Sequence, residues 1–246
     1  MTSPIPNDEK FKKDKIIKSK IGLNNAGESC YMASIIQILI HLEKFLDSLE
    51  KNYTKNKLYP AFCKFLKKLG VKKPETYYNY EYIEIQDIAN VYHSINHKFK
   101  GTEGNNPMTF FNEFISDLNK NILSLFEGKK EVKLIGNNEN KKIIETTEEN
   151  FIFYLITLDN NNKDIHSYFA NNLNSAKEFE NEKDEKIIEQ ITKFPEILVI
   201  NLELEIDDYK TEETIYIQKK DENNQDDLVV YNLKAINKYS DAHSIA

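Results

Sequence analysis

A chain of 246 residues whose 40% apolar content includes 14 Tyr and 14 Phe can bury a sizeable core, and one globular unit is expected. Its 33 basic and 40 acidic residues leave a net charge of -7, which argues against the basic footprint of a nucleic-acid-binding protein. Only Cys30 and Cys63 occur, too few for a disulfide framework or a four-cysteine zinc site, and neither a secretory leader nor an apolar run of about 18 residues is visible. A reducing intracellular setting, cytoplasmic or nuclear, with no membrane contact, is expected.

Residues 1–19 read as a polar leader, expected to be disordered. Directly after Cys30, Ile35, Leu39, Leu42, Phe45 or Leu46, and Leu49 recur at helical spacing, which predicts a helix from Cys30 to about Leu49. Phe62, Phe65, Leu66 and Leu69 mark a second helix after Pro60, and Ile85, Ile88, Tyr92, Ile95 and Phe99 a third. The fourth carries Phe111, Phe114, Leu118, Ile122 and Leu125. After Gly128 the texture changes to alternating or continuous apolar runs, which predict mostly antiparallel strands within 131–135, 151–158, 197–204, 214–217 and 228–236. A short helix over Ile165 to Leu173 interrupts them. Clusters of Asn, Lys and Glu at 137–144, 160–163 and 219–227 read as loops, and the acidic stretches 180–189 and 203–213 as solvated surface. A helical part over about 20–128 followed by a β-rich part over about 129–246 makes the fold class α+β.

Cys30 stands where a reactive thiol belongs. A free thiol is mostly protonated at neutral pH, so a hydrolytic cysteine sits at a helix N-terminus and beside an imidazole, both of which stabilise thiolate. Ser29 is the expected N-cap, and Gly22 with Gly27 can supply the turns the preceding segment needs. Papain-like enzymes set a helix-borne thiol against a histidine on a sheet in an arrangement of this kind. Elsewhere, His93 and His97 have helical metal-ligand spacing but no third ligand and read as a solvated helix face. Cys63, beside Phe62 and Phe65, reads as a core or boundary thiol, and His41 and His166 belong to no constellation.

The segment Gly22-Leu23-Asn24-Asn25-Ala26-Gly27-Glu28-Ser29-Cys30-Tyr31-Met32-Ala33-Ser34 resembles the cysteine box of the ubiquitin-specific proteases, G-L-x-N-x-G-N-T-C-Y-M-N-S, and continues into Ile35-Ile36-Gln37 as that box does. Tyr231-Asn232-Leu233-Lys234-Ala235-Ile236 resembles the family's Y-x-L-x-A-V strand, and Asp241-Ala242-His243-Ser244-Ile245-Ala246 its G-H-Y-x-A. Between them, Asn112 to Ile115 with Leu118 resemble the end of the Q-Q-D-A-x-E-F-L helix, and Phe126-Glu127-Gly128 the F-x-G turn. Phe194 to Leu202 resembles the P-x-x-L-x-I-x-L segment. The likeness spans about residues 20–246. It implies a papain-like domain with a helical thumb-like half, a β palm and short metal-free fingers. It implies Cys30 as nucleophile, His243 as its base and Asn25 as side-chain donor of the oxyanion hole. The implied activity is thiol-dependent hydrolysis after the C-terminal glycine of ubiquitin or a ubiquitin-like protein, with those proteins and their conjugates as partners and no cofactor.

Several positions depart from the family pattern. Glu28 places a carboxylate near the thiol, Phe110 stands where the family has an acidic residue that helps hold the ubiquitin tail, and Ala242 and Ser244 replace the glycine and tyrosine around the histidine. The zinc-binding cysteine pairs of the family's fingers have no counterpart between about 170 and 195. No Asp or Asn follows His243 to serve as the third triad member, so slow turnover is expected from this chain. Two other readings stay open, a module that grips ubiquitin or a ubiquitin-like protein without turnover, and a scaffold subunit.

Overall fold

The structure, a computed structural model, describes residues 10–17, 22–24, 29–54, 56–71, 75–77, 80–99, 105–136, 143–161, 163–173, 177–180, 186–205, 211–220, 226–236, 238–240 and 243–245. In chain order the elements are α1 (Lys13–Ile17), β1 (Gly22–Asn24), α2 (Cys30–Leu39), α3 (Glu43–Lys51), α4 (Leu58–Val71), β2 (Glu75–Tyr77), β3 (Tyr80–Glu84) and α5 (Gln86–Ile95). A 3-10 helix (His97–Phe99), α6 (Pro107–Leu118), α7 (Lys120–Leu123), β4 (Gly128–Ile135), β5 (Ile143–Phe151), β6 (Tyr154–Leu158) and α8 (Ile165–Leu173) follow. The remainder is strand: β7 (Lys177–Glu180), β8 (Lys186–Lys193), β9 (Ile200–Leu204), β10 (Thr214–Lys220), β11 (Asp226–Asn232), β12 (Lys238–Ser240) and β13 (His243–Ile245). Helices and sheets together make the α+β, papain-like fold expected from the sequence.

The chain divides into two compact units. The first comprises Met1–Leu123 and Lys234–Ala246, the second Ser124–Leu233.

An aromatic core organises the first unit. Tyr31 of α2, Tyr92 of α5, Phe99, and Phe110 and Phe114 of α6 are buried and stack mutually with ring centroids 5.1–6.0 Å apart. Such edge-to-face and tilted pairs add to the burial of large rings. α6 starts where it does because Asn106 accepts from the backbone N–H groups of Met108 and Thr109, while Pro107 occupies the first turn, where its missing N–H costs nothing. The predicted helix from Cys30 to Leu49 is two helices. Ile40 and His41 form a tight turn and Leu42 turns extended before α3, and the apolar spacing carries across the break. The leader is a further difference: its residues 13–17 form α1, which buries Ile16 and joins Lys13 to Asp47 of α3 by an ion pair. Residues 1–9 and 18–20 lie outside the described residues.

A three-stranded sheet, order β1-β3-β2, also belongs to this unit and was not read from the sequence. Among the described residues β1 is an edge strand, and it pairs in parallel with β3, Leu23 opposite Ile83.

The second unit holds an antiparallel sheet of order β5-β4-β8-β7, a parallel pair β6-β9 and the hairpin β10-β11. Its core comprises Phe151, Tyr154, Ile156, Leu158, Ile191, Ile215 and Ile217 together with Ile165, Tyr168 and Phe169 of α8. The run 151–158 predicted as one strand contains the end of β5 and the whole of β6, and the acidic stretch 180–189 contributes to β7 and β8. Lys130 of β4 meets Glu189 of β8 at 2.7 Å, which accommodates a carboxylate within the sheet.

Candidate active site

Cys30 is the first residue of α2 and is partly exposed. Its helix forms because Tyr31, Met32, Ala33, Ile35, Ile36 and Leu39 are all buried, and no acidic residue sits in its first turn. Ser29 does not cap it as expected. That residue has φ -102° and ψ 24° and makes no side-chain cap bond, while its carbonyl accepts the N–H groups of Met32 and Ala33 at 3.0 and 2.9 Å. The neighbouring Tyr31 phenol donates to the Phe99 carbonyl at 3.4 Å. Burial pushes that phenol above its ordinary value, a hydrogen bond with Asn105 partly offsets this, and an electrostatic contribution from Cys30 adds to the rise. The ring next to the thiol is therefore neutral at neutral pH.

His243 opens β13, which pairs antiparallel with β12, Ser240 opposite His243. β13 packs against α2. The last strand of the chain is thus laid on the helix that Cys30 begins. Asn25, Gly27, Glu28 and Ala242 lie outside the described residues, although Asn25 immediately follows β1, and β1 also packs against α2.

Two positions singled out from the sequence lie elsewhere than expected. Phe110 is fully buried among Tyr31, Tyr92, Phe99 and Phe114, so it is a core residue and presents nothing to a substrate tail. His93 lies within α5 and His97 beyond its end, in the 3-10 helix, so the two do not share one helical face. Among the described residues no three His, Cys, Asp or Glu side chains cluster to hold a metal ion. Cys63 is 0% exposed. His166 packs edge-on against Tyr216, with ring centroids 6.5 Å apart.

One residue that sequence reasoning used only as a motif letter acquires a contact here. Gln37 accepts from the backbone N–H of Leu23 at 2.9 Å and lies 3.0 Å from His41 Nε2 through its amide nitrogen. Its position seven residues after Cys30, nearly two full turns and hence on the same helical face, was the available signal.

The sequence profile of the ubiquitin carboxyl-terminal hydrolase family matches residues 21–243. Among the curated proteins none matches the sequence. The fold is similar to that of the SAGA Ubp8/Sgf11/Sus1/Sgf73 DUB module bound to ubiquitin aldehyde, with a TM-score of 0.64 at 18% identity over 89% of this chain and 58% of that one. It is also similar to the same module carrying a cysteine-to-alanine substitution in Ubp8 and bound to monoubiquitin, with a TM-score of 0.56 at 15% identity over 100% of this chain and 67% of that one. A third likeness is to the Ubp8-Sgf11-Sgf73-Sus1 SAGA DUB module, with a TM-score of 0.59 at 16% identity over 94% and 64%. This chain therefore spans 58–67% of the length of those chains, and at such identities the likeness speaks for the fold. With a family profile covering residues 21–243, the chain belongs to the ubiquitin carboxyl-terminal hydrolase family.

Proposed function

We propose that this chain is a cysteine-type deubiquitinase that hydrolyses the isopeptide or peptide bond after the C-terminal glycine of ubiquitin or a ubiquitin-like protein. The observation that carries the reading is the packing of β13, begun by His243, on α2, begun by Cys30. Family membership and the ubiquitin bound to the similar SAGA modules support the substrate class. A reducing intracellular compartment suits a thiol nucleophile. No helix among the described residues is long and apolar enough to cross a membrane.

In this mechanism His243 takes the proton of Cys30, and the thiolate attacks the glycine carbonyl carbon. The tetrahedral oxyanion is held by the Asn25 amide and a backbone N–H near Cys30, where a single donor is worth roughly 3 to 4 kcal/mol in comparable enzymes. The C–N bond then breaks as His243 returns the proton to the departing lysine amine, leaving a thioester. Water, deprotonated by the same imidazole, attacks the thioester, releasing the carboxylate and restoring the thiol. The chemistry draws on no cofactor.

The test is a ubiquitin derivative with an electrophile at its C-terminus, followed by intact mass measurement and peptide mapping. One adduct on Cys30, lost in Cys30→Ala, is expected, and buried Cys63 should stay unmodified in the folded protein. Labelling of Cys63, or labelling that survives Cys30→Ala, overturns the assignment. Reversible binding of ubiquitin with no adduct would make the chain a binding module instead.

A further inference from the structure

β5 is nine residues long, forms one edge of its sheet among the described residues, and is exposed at every position from Ile143 to Asn150, with only Phe151 buried. One side of its backbone is bonded to β4, and on the other side alternate N–H and C=O groups face outward. Edges of this kind are commonly blunted by brevity, proline, lysine or a bulge. The opposite edge, β7, is only four residues long. β5 carries neither proline nor lysine, and the irregularity in its pairing falls at Ile144, which leaves Glu145 to Phe151 in regular register over about 20 Å.

What guards this edge is acid. Glu145, Glu148 and Glu149 are the only charged side chains of the strand. The strand that β5 already accepts, β4, is rich in lysine, and Lys129 meets Glu148 at 2.6 Å while Lys130 meets Glu149 at 3.3 Å. Those two carboxylates stay 57% and 51% exposed, so a further cation can reach them from the open side. Glu145 forms no ion pair among the described residues. A second copy of this chain is the wrong occupant, because β5 laid against β5 would gather three glutamates from each strand, and like charges across a ladder repel. We propose that the free edge of β5 is a docking site for an extended, lysine- or arginine-rich segment of another protein, which joins the sheet as a strand beside β5. Main-chain hydrogen bonds hold such a segment and its side chains select it, so carboxylates that repel an acidic strand choose a basic one. Neither Cys30 nor His243 takes part.

The probe is a peptide of about nine residues that alternates lysine with threonine, blocked at both ends and labelled for fluorescence anisotropy with the full chain. Half-saturation should fall below about 1 mM, and binding should weaken at least about threefold as salt rises from about 0.05 to about 0.5 M. The same peptide methylated at every peptide nitrogen keeps its charge but cannot donate, so it should bind at least about tenfold more weakly. That comparison uses the natural chain and needs no variant. Replacing the lysines of the peptide by glutamate should abolish binding. Glu145→Lys, which breaks no ion pair among the described residues, should weaken binding at least about threefold with an unchanged urea midpoint. In the complex, alternate amides within 145–150 should exchange hydrogen more slowly, while those of β7 stay as they were. No binding at about 1 mM, equal binding of the methylated peptide, equal binding by Glu145→Lys, or protection on β7 instead of β5 overturns the proposal. So does protection of β5 that grows with protein concentration in the absence of peptide, since the occupant would then be a second copy.

Discussion

Tyr31 and Phe110 meet edge to face, with ring centroids 5.4 Å apart and planes at 73°. Through this contact the residue next to Cys30 rests on α6, and both rings are buried. The sequence likeness sets Phe110 against an acidic residue of the ubiquitin-specific proteases, but the ring is buried, so an acid introduced here should not improve substrate binding. Truncating a buried Phe to Ala costs about 3 to 5 kcal/mol, and a carboxylate in the same place adds an unpaired buried charge. Against a total stability of about 5 to 15 kcal/mol, Phe110→Asp should leave the first unit largely unfolded, with Phe110→Leu intermediate. Urea denaturation measures this. A Phe110→Asp protein with an unchanged midpoint would show that the ring lies outside the core.

The reason this was not legible lies in the partners. Matching Phe110 to a motif letter does not say which way its side chain points, and beyond Phe114 on its own helix its ring contacts come from Tyr31, Tyr92 and Phe99 on other elements. Local signals succeeded where the interaction is local. α2 begins at Cys30 and α8 covers Ile165–Leu173, both as read, since each shows its own apolar periodicity. The break between α2 and α3 was hidden because the turn at Ile40 and His41 keeps Leu39, Leu42, Phe45 and Leu49 in apolar step. β8 was hidden for the opposite reason. Its Ile187, Ile188 and Ile191 fall at helical i+3 and i+4 spacing rather than in the alternation of a half-buried strand, and its register comes from β4, more than fifty residues earlier, across a bulge. For the candidate site, the cysteine and histidine motifs were visible at the two ends of the sequence, but the short strands β12 and β13 were not. The packing of β13 on α2 and the hydrogen bond from Leu23 to Gln37 are tertiary, and no pattern along the sequence encodes them.

Gly128 explains the F-x-G turn in steric terms. A Cβ placed there would run into the Phe151 ring and lie 2.9 Å from the Lys193 carbonyl oxygen, because β4 passes between β5 and β8 at this point. Phe151 can turn aside, but the backbone oxygen cannot do so without shifting β8. Gly128→Ala should destabilise the protein by about 1 to 3 kcal/mol, the usual cost of overpacking. Adding Phe151→Leu should recover only part of that loss in a double-mutant cycle. Equal stability of Gly128→Ala and the natural chain in urea would mean that β8 lies farther from β4 than described.

At the start of α6, Asn106 Oδ1 takes the N–H groups of Met108 at 2.8 Å and Thr109 at 3.2 Å. Asn106→Ala should lower stability by about 1 kcal/mol and Asn106→Asp by much less, since the carboxylate keeps the acceptor and favours the helix N-terminus. Chemical denaturation of the three proteins is the comparison, and a larger loss in Asn106→Asp than in Asn106→Ala would contradict the cap.

Glu113 gives a prediction with a sign in pH. Its carboxylate accepts from Lys98 Nζ through Oε1 and from Asn96 Nδ2 through Oε2, the latter at 2.6 Å. The hydrogen bond from Lys98, then that from Asn96, holds the carboxyl below its ordinary value of 4.5 against the opposing effect of burial. A group whose folded-state pKa is depressed favours the folded state when ionised. Its contribution is therefore fully present above about pH 4.5 and fades as pH falls through the lower folded-state value. The size is limited by solvent, since Lys98 is 56% and Glu113 32% exposed at the side chain, and such pairs contribute about 0 to 1 kcal/mol. Glu113→Gln should therefore be less stable than the natural chain by up to about 1 kcal/mol near pH 7, and the difference should shrink as pH falls below about 4.5. High salt should shrink the part due to Lys98 while leaving the Asn96 hydrogen bond. Denaturation midpoints across that pH range, with Lys98→Met as companion, resolve the two contributions, and a difference between Glu113→Gln and the natural chain that stays constant from about pH 7 to about pH 3 would show that the ionised carboxylate is not what stabilises the fold.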